Sequence, residues 1–87
     1  MFLIVVYDIN VKRVSKVCNF LKRFLNRVQN SVFEGEVSEL QLKRIKTGIN
    51  KIIVLDEDSV RYYYVRTESM IIIENVGLDN NAFCQIL

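Results

Sequence analysis

An α+β sandwich of the ferredoxin-like type, with two helices on one face of a mainly antiparallel sheet, is predicted by three features of this 87-residue sequence. Its first residues, Phe2 to Tyr7, form a continuous apolar run of β-branched and aromatic side chains. Two stretches with apolar residues at helical spacing follow, separated by a stretch that alternates. Two further runs rich in strand-forming residues, Val60 to Val65 and Met70 to Val76, complete the pattern. The order βαββαβ plus an extra C-terminal strand fits a single domain over residues 1–87, because the chain is about half of a typical 150-residue domain and holds no repeat, linker or low-complexity segment.

The first run ends at Asp8 and Asn10 and, being apolar at every position, is expected to be buried on both faces at the centre of its sheet. Next, Val14, Val17, Cys18, Leu21, Phe24 or Leu25, and Val28 recur at helical spacing, with Lys12, Arg13, Lys16, Lys22 and Arg23 between them. This describes an amphipathic helix with a basic outer face, and either Asp8 or Asn10 can cap its start. Residues Arg27 to Val37 alternate as a strand, or as a short hairpin bent near Asn30 and Ser31. A second helix opens at Ser38, where Ser38 and Gln41 have the spacing of a capping box, and continues through Leu42, Ile45 and Ile49. It is expected to weaken at Gly48 and to be over before the polar turn Asp56-Glu57-Asp58. Helices on one face leave the other sheet face in need of a cover. The final strand, Met70 to Val76, is long and apolar, a poor exposed edge, and is expected to pair across a subunit boundary in a two-fold homodimer.

Composition narrows the chemistry. There is no His, which removes Ser-His-Asp and Cys-His catalysis and His-ligated metal sites. Cys18 and Cys84 match no zinc or redox spacing, and the apolar runs are far too short to span a bilayer, so a soluble, cytoplasmic protein with no membrane contact is expected. The net charge of +2 conceals a polarised segment: between Asp8 and Glu34 there is no acid, while Lys12, Arg13, Lys16, Lys22, Arg23 and Arg27 lie there. A basic stretch of this kind is an electrostatic footprint for a polyanion or simply a solvated helix face.

Asp8 stands where the central strand ends, just before the basic helix. Catalytic carboxylates often occupy such a position, and so do helix caps. One carboxylate is a poor site for Mg²⁺, which takes one or two carboxylates with waters and phosphate, but a two-fold axis beside Asp8 supplies a second. Without His, water activated by a divalent cation is the most plausible nucleophile available. Ser31 and Ser59 have no base beside them in sequence and read as turn or cap residues. Tyr62, Tyr63 and Tyr64 read as core and interface residues, and Cys18 as an inert member of its helix's apolar stripe.

These residues resemble a known family. The strand ending in Tyr7-Asp8-Ile9, the basic helix, the run Arg27-Val28-Gln29-Asn30-Ser31-Val32-Phe33-Glu34-Gly35, and Glu57-Asp58-Ser59-Val60-Arg61 before a Tyr-rich strand look like the small CRISPR-associated endonuclease of the spacer-adaptation machinery. The resemblance implies a ferredoxin-like homodimer whose last strand docks on the partner and whose two Asp8 carboxylates face a shared Mg²⁺ or Mn²⁺. It implies catalytic roles for Asp8, Tyr7, Arg27, Ser31 and Phe33, and nucleic-acid contacts from Arg13, Lys16 and Arg27, to which the acid-free basic segment adds Lys12. Two functions follow from it: metal-dependent cleavage of RNA or DNA during spacer acquisition and antiviral defence, or a non-catalytic dimer that holds duplex DNA and bridges the subunits of the CRISPR integrase.

Overall fold

The computed structural model describes residues 1–67 and 70–78. Within them the chain runs β1 (Phe2–Asp8), α1 (Val11–Leu21), β2 (Asn26–Gln29), β3 (Val32–Glu36), α2 (Glu39–Ile52), β4 (Ser59–Thr67) and β5 (Met70–Gly77). The strands form one sheet in the order β2-β3-β1-β4-β5 with every pairing antiparallel. This is the ferredoxin-like arrangement with one added strand, as the order of elements predicts.

Antiparallel alternation decides what is inside. Leu3, Val5 and Tyr7 of β1, Phe33 of β3 and Val60, Tyr62 and Tyr64 of β4 point toward the helices and are buried, where they meet Val17 and Leu21 of α1 and Leu42, Ile45 and Ile49 of α2. Phe2, Ile4 and Val6 point the other way and are only half-buried. The expectation of a first strand buried on both faces is therefore corrected: β1 is central, but the described residues cover only one of its faces. Across the uncovered face, Ile4 lies beside Tyr63 and Tyr63 beside Ile73, while Phe2 lies beside Val65 and Val65 beside Ile71. These two rows are apolar across β1, β4 and β5; β3 sets Glu36 and Glu34 beside Phe2 and Ile4, and in the next row Val6 is followed by Arg61 and Asn75.

Three further departures have local causes. The first helix stops at Leu21, because Arg23 and Phe24 turn back onto the carbonyls of Phe20 and Leu21. Val28, counted in its apolar stripe, instead lies half-exposed on β2. The second helix does not weaken at Gly48 but runs on to Ile52, and glycine serves a packing need: a Cβ there would lie 2.1 Å from the Phe20 ring, which α1 lays against α2. Finally, β5 does not pair across a subunit boundary along its β4 side. It pairs with β4 of its own chain from Ser59–Gly77 to Thr67–Met70, because two strands adjacent in sequence close a local ladder at low entropic cost.

The loops at one end of the sheet are tied by a single carboxylate. Asp58, fully buried, accepts hydrogen bonds from the Asn10 amide (2.8 Å), the Val54 amide (2.8 Å), and Arg13 Nε (2.7 Å) and Nη2 (3.0 Å). Arg13 Nη2 also donates to Glu57 Oε1 at 2.9 Å. The Asp58 carbonyl takes the Leu78 amide at 2.9 Å, and Gly77, at φ +88°, backs onto it so closely that a Cβ would lie 2.1 Å from that oxygen. One residue thus joins the β1–α1 loop, the end of α2 and the end of β5.

On the other side of α2, Lys46 Nζ holds both Glu74 carboxylate oxygens at 2.8 Å, and Tyr64 donates its hydroxyl to the same carboxylate. This pins the helix over β5 and, with the ammonium 5.1 Å from the Tyr64 ring centroid and 5.6 Å from that of Tyr62, explains where two of the three tyrosines go.

The Arg13 guanidinium, helped by the two backbone amides, lowers the Asp58 pKa from 3.8 to about 2. A folded-state pKa below the unfolded one stabilises the fold above pH 4, and this contribution is lost as pH falls through about 2. Asp58→Ala is expected to cost about 3 kcal/mol at pH 7, because it removes a fully buried acceptor and leaves the Asn10 and Val54 amides and Arg13 Nε without it. Urea unfolding at pH 7 and between pH 5 and 2 checks both points. The variant should lose part of the parent's acid sensitivity.

Candidate functional site

Tyr7 and Asp8 are consecutive on an extended strand and so point to opposite faces. Tyr7 enters the core, 4% exposed, and its ring stacks on Phe33 with centroids 6.1 Å apart. Burial pushes its hydroxyl pKa up, and Cys18 beside it adds to the effect. Asp8 is exposed on the uncovered face, paired across the ladder with Ser59. It does not cap the helix that follows. That work falls to Asn10, whose side-chain oxygen accepts from the Lys12 amide at 3.0 Å.

The turn between β2 and β3 lies against the same end of β1, because the Tyr7 amide donates to the Ser31 carbonyl at 3.0 Å. Ser31 holds φ at +67°, a left-handed conformation uncommon outside glycine, at the bend predicted near Asn30 and Ser31. Arg27 is exposed on β2, where a bulge interrupts the ladder between Arg27 and Gln29, and its Nη2 donates to Asn30 Oδ1 at 3.1 Å. Phe33 is fully buried. The structure therefore gathers Tyr7, Ser31, Arg27 and Phe33 near the carboxyl end of β1. Of these, Arg27 alone is exposed, and its pairing with Phe33 puts it on the helix-facing side of the sheet, opposite Asp8; Ser31 is half-buried in its turn, and Tyr7 and Phe33 are packed in the core.

The basic segment divides. Lys12 and Lys16, one helical turn apart, are exposed on α1, as are Lys22 and Arg23 after it, with the Arg23 guanidinium beside the Phe20 and Phe24 rings. Arg13 does not join that face, since its side chain is 17% exposed and committed to Asp58 and Glu57.

Among the described residues no group of three or more Cys, Asp and Glu side chains converges to hold a metal ion. The donor set at the end of β1 is one exposed carboxylate, Asp8, with Ser59 opposite it. Such a set suits Mg²⁺ or Mn²⁺ only if a second carboxylate is brought to it, because those ions take one or two carboxylates and fill the remaining positions with water and phosphate.

Sequence reasoning gave no role to Asp58. It was hidden inside the run Asp56-Glu57-Asp58, which reads as a polar turn. The available signal was its place as the last acid directly before an apolar strand, where a carboxylate can close over free backbone amides.

The profile of the family described as CRISPR associated protein Cas2 matches residues 1–70. The chain belongs to the Cas2 family. Among its relatives, a protein of Methanocaldococcus jannaschii named CRISPR-associated endoribonuclease Cas2 is 49% identical over 87 residues, all of this chain and 76% of that one. Another of the same name from Pyrococcus furiosus is 48% identical over the full length of both. Two Cas2 crystal structures share the fold. One has a TM-score of 0.74 at 43% identity and covers 80% of this chain and 79% of its own. The other, from Streptococcus pyogenes, has a TM-score of 0.69 at 33% identity and covers 80% and 99%. The expected family is confirmed, and with it the CRISPR association of the chain.

Because Asp8 is exposed and does not cap α1, Asp8→Asn is expected to leave stability within about 0.5 kcal/mol of the parent. Thermal melts of the two proteins check this. A large loss would show a structural role that the geometry does not contain.

Proposed function

We propose that this Cas2 protein is a homodimeric, metal-dependent endoribonuclease acting in CRISPR spacer acquisition and antiviral defence, in the cytoplasm. The observation that carries the reading is the position of Asp8: an exposed carboxylate at the end of the central strand, on the same uncovered apolar face as Phe2, Ile4 and Val6. A second copy covering that face through a two-fold axis uses the same patch twice, and with the axis passing beside Asp8 it brings a second Asp8 toward the first. The pair then forms a site for Mg²⁺ or Mn²⁺. A divalent cation held there supplies Lewis acidity at a phosphodiester.

The chain's own residues do the rest. Lys12 and Lys16 hold the phosphate backbone, and Arg27 does the same from β2. Ser31 fixes the β2–β3 turn against β1 through its carbonyl, while the packed Tyr7 and Phe33 rings keep the strand end that presents Asp8 in place. RNA is favoured as substrate because the M. jannaschii and P. furiosus relatives are named endoribonucleases. A second reading is favoured by the exposed cations Lys12, Lys16, Lys22, Arg23 and Arg27, which lie on one stretch of chain with no acid among them. On that reading the dimer binds duplex DNA without cutting it and bridges subunits of the CRISPR integrase.

One measurement separates these readings and a second tests the binding that both require. With single-stranded RNA and Mg²⁺, the parent should cleave and Asp8→Asn should lose roughly a hundredfold in rate while keeping its affinity, the scale of loss when a charge that stabilises the transition state goes. A parent that does not cleave RNA under Mg²⁺ or Mn²⁺ rejects the nuclease reading. Affinity should also fall steeply with salt. Six phosphate contacts, from Lys12, Lys16 and Arg27 of each protomer, imply a slope of about −4 in log affinity against log salt for single strands and about −5 for duplex. A flat salt dependence would mean that the basic residues only face solvent.

A further inference from the structure

We infer that Arg13 and Asp58 are positioning residues for the Asp8 carboxylate, and that Arg13 is closed to nucleic acid. The first half rests on the nuclease reading of Asp8, and the second does not.

Asp8 occupies the last position of β1, so its placement depends on what holds the backbone on either side of it. On the strand side this is the ladder to β4, where Asp8 pairs with Ser59. On the loop side it is the Asn10 amide, which donates to Asp58 Oδ1 at 2.8 Å. Asp58 directly precedes Ser59, so a single buried carboxylate anchors both the residue two positions after Asp8 and the neighbour of its cross-strand partner. Arg13 completes the anchor by filling one lone pair on each Asp58 oxygen, at 2.7 and 3.0 Å. Four N–H donors converge on two oxygens. An Asn side chain of the same shape has only one oxygen, and its NH₂ group would face a donor, so the anchor requires the carboxylate.

The same hydrogen bonds remove Arg13 from the polycationic face. Its charge lies between two carboxylates, Asp58 and Glu57, with Nη2 shared between them. The cluster of one cation and two anions is net negative. A phosphate gains nothing there that it gains at Lys12 or Lys16, which stand exposed on the outer face of α1.

The test uses the full chain and the variants Arg13→Gln, Asp58→Asn, Arg13→Lys and Lys16→Gln, with a labelled single-stranded RNA and Mg²⁺. In binding, Lys16→Gln should reduce the salt slope by about 0.7 for each phosphate that the protein no longer neutralises, while Arg13→Gln keeps the parent slope. In cleavage, Arg13→Gln and Asp58→Asn should lose between tenfold and a hundredfold in kcat at unchanged KM, as a reacting group displaced by about 1 Å does. Arg13→Lys, which keeps one charged hydrogen bond to Asp58, should recover part of that loss. A purely structural role would lower the melting temperature without changing kcat in the folded protein. Two results overturn the inference: a salt slope reduced as much by Arg13→Gln as by Lys16→Gln, or parental kcat in folded Arg13→Gln. If Asp58→Asn does not fold, Arg13→Gln and Arg13→Lys decide alone. A parent that cleaves no RNA ends the positioning half together with the nuclease reading, and the salt slopes still decide whether Arg13 touches phosphate.

Discussion

A buried carboxylate that accepts four hydrogen bonds is the constraint on which this end of the molecule depends. Asp58 has no solvent to hydrate it, so its charge is tolerable only because Arg13 and two backbone amides replace the lost water. Its donors come from three parts of the loop layer: the exit of β1, the first turn of α1 and the end of α2. A buried charge that must be satisfied by fixed donors allows one arrangement of these loops and penalises the others. The carboxylate thereby ties the start of α1, which carries Lys12 and Lys16, to the exit of β1 and the end of α2.

The opposite constraint acts on the sheet. Its helix-facing side is closed by aliphatic residues of α1 and α2 and by the Lys46–Glu74 pair, whereas its other side presents Phe2, Ile4, Val6, Tyr63, Val65, Ile71 and Ile73 in adjoining rows with no layer of the described residues over them. Glu34, Glu36 and Arg61 border this apolar surface on the same face. Asp8 lies in line with Phe2, Ile4 and Val6 and breaks the apolar pattern at its end, which places this carboxylate at the rim of whatever covers the face.

How far this was legible follows from the kind of physics involved. The capping box at Ser38, the bend at Asn30 and Ser31, and the strand Phe2 to Tyr7 rest on neighbours in sequence, and the structure contains all three. The depth of Phe2, Ile4 and Val6 was not legible, because an apolar strand looks the same whether one or both of its faces are covered. Gly48 read as a weak point in a helix because helix propensity is local, while its purpose is to admit the Phe20 ring from another element. At the candidate site, Asp8 could be named but its competing role as a helix cap could not be dismissed until Asn10 was seen to take it. Asp58 was illegible for the same reason as Gly48: closely spaced acids look alike, and only the long-range approach of Arg13 and Asn10 selects one of them.

Arg13 shows what a family resemblance can and cannot transfer. Residue type and place in the sequence put it among the basic residues of α1, with Lys12 before it and Lys16 after it. A helix turns about 100° per residue, so consecutive cations do not share a face. Lys12 and Lys16 are related by four residues and point together; Arg13 lies about 100° from Lys12 but only about 60° from Lys16, and its hydrogen bonds to Asp58 and Glu57 draw its side chain toward the loop layer, where it meets the only buried carboxylate among the described residues. The same one-residue step separates Tyr7 from Asp8 on β1, where alternation sends the phenol into the core and the carboxylate out. On β1 backbone alternation divides the residue that holds the fold from the one that faces solvent, on α1 the hydrogen bonds of Arg13 do so, and composition along the segment carries no trace of either. A polyanion approaching α1 therefore meets Lys12 and Lys16, and the charge of Arg13 is directed inward, to the loop that carries Asp8.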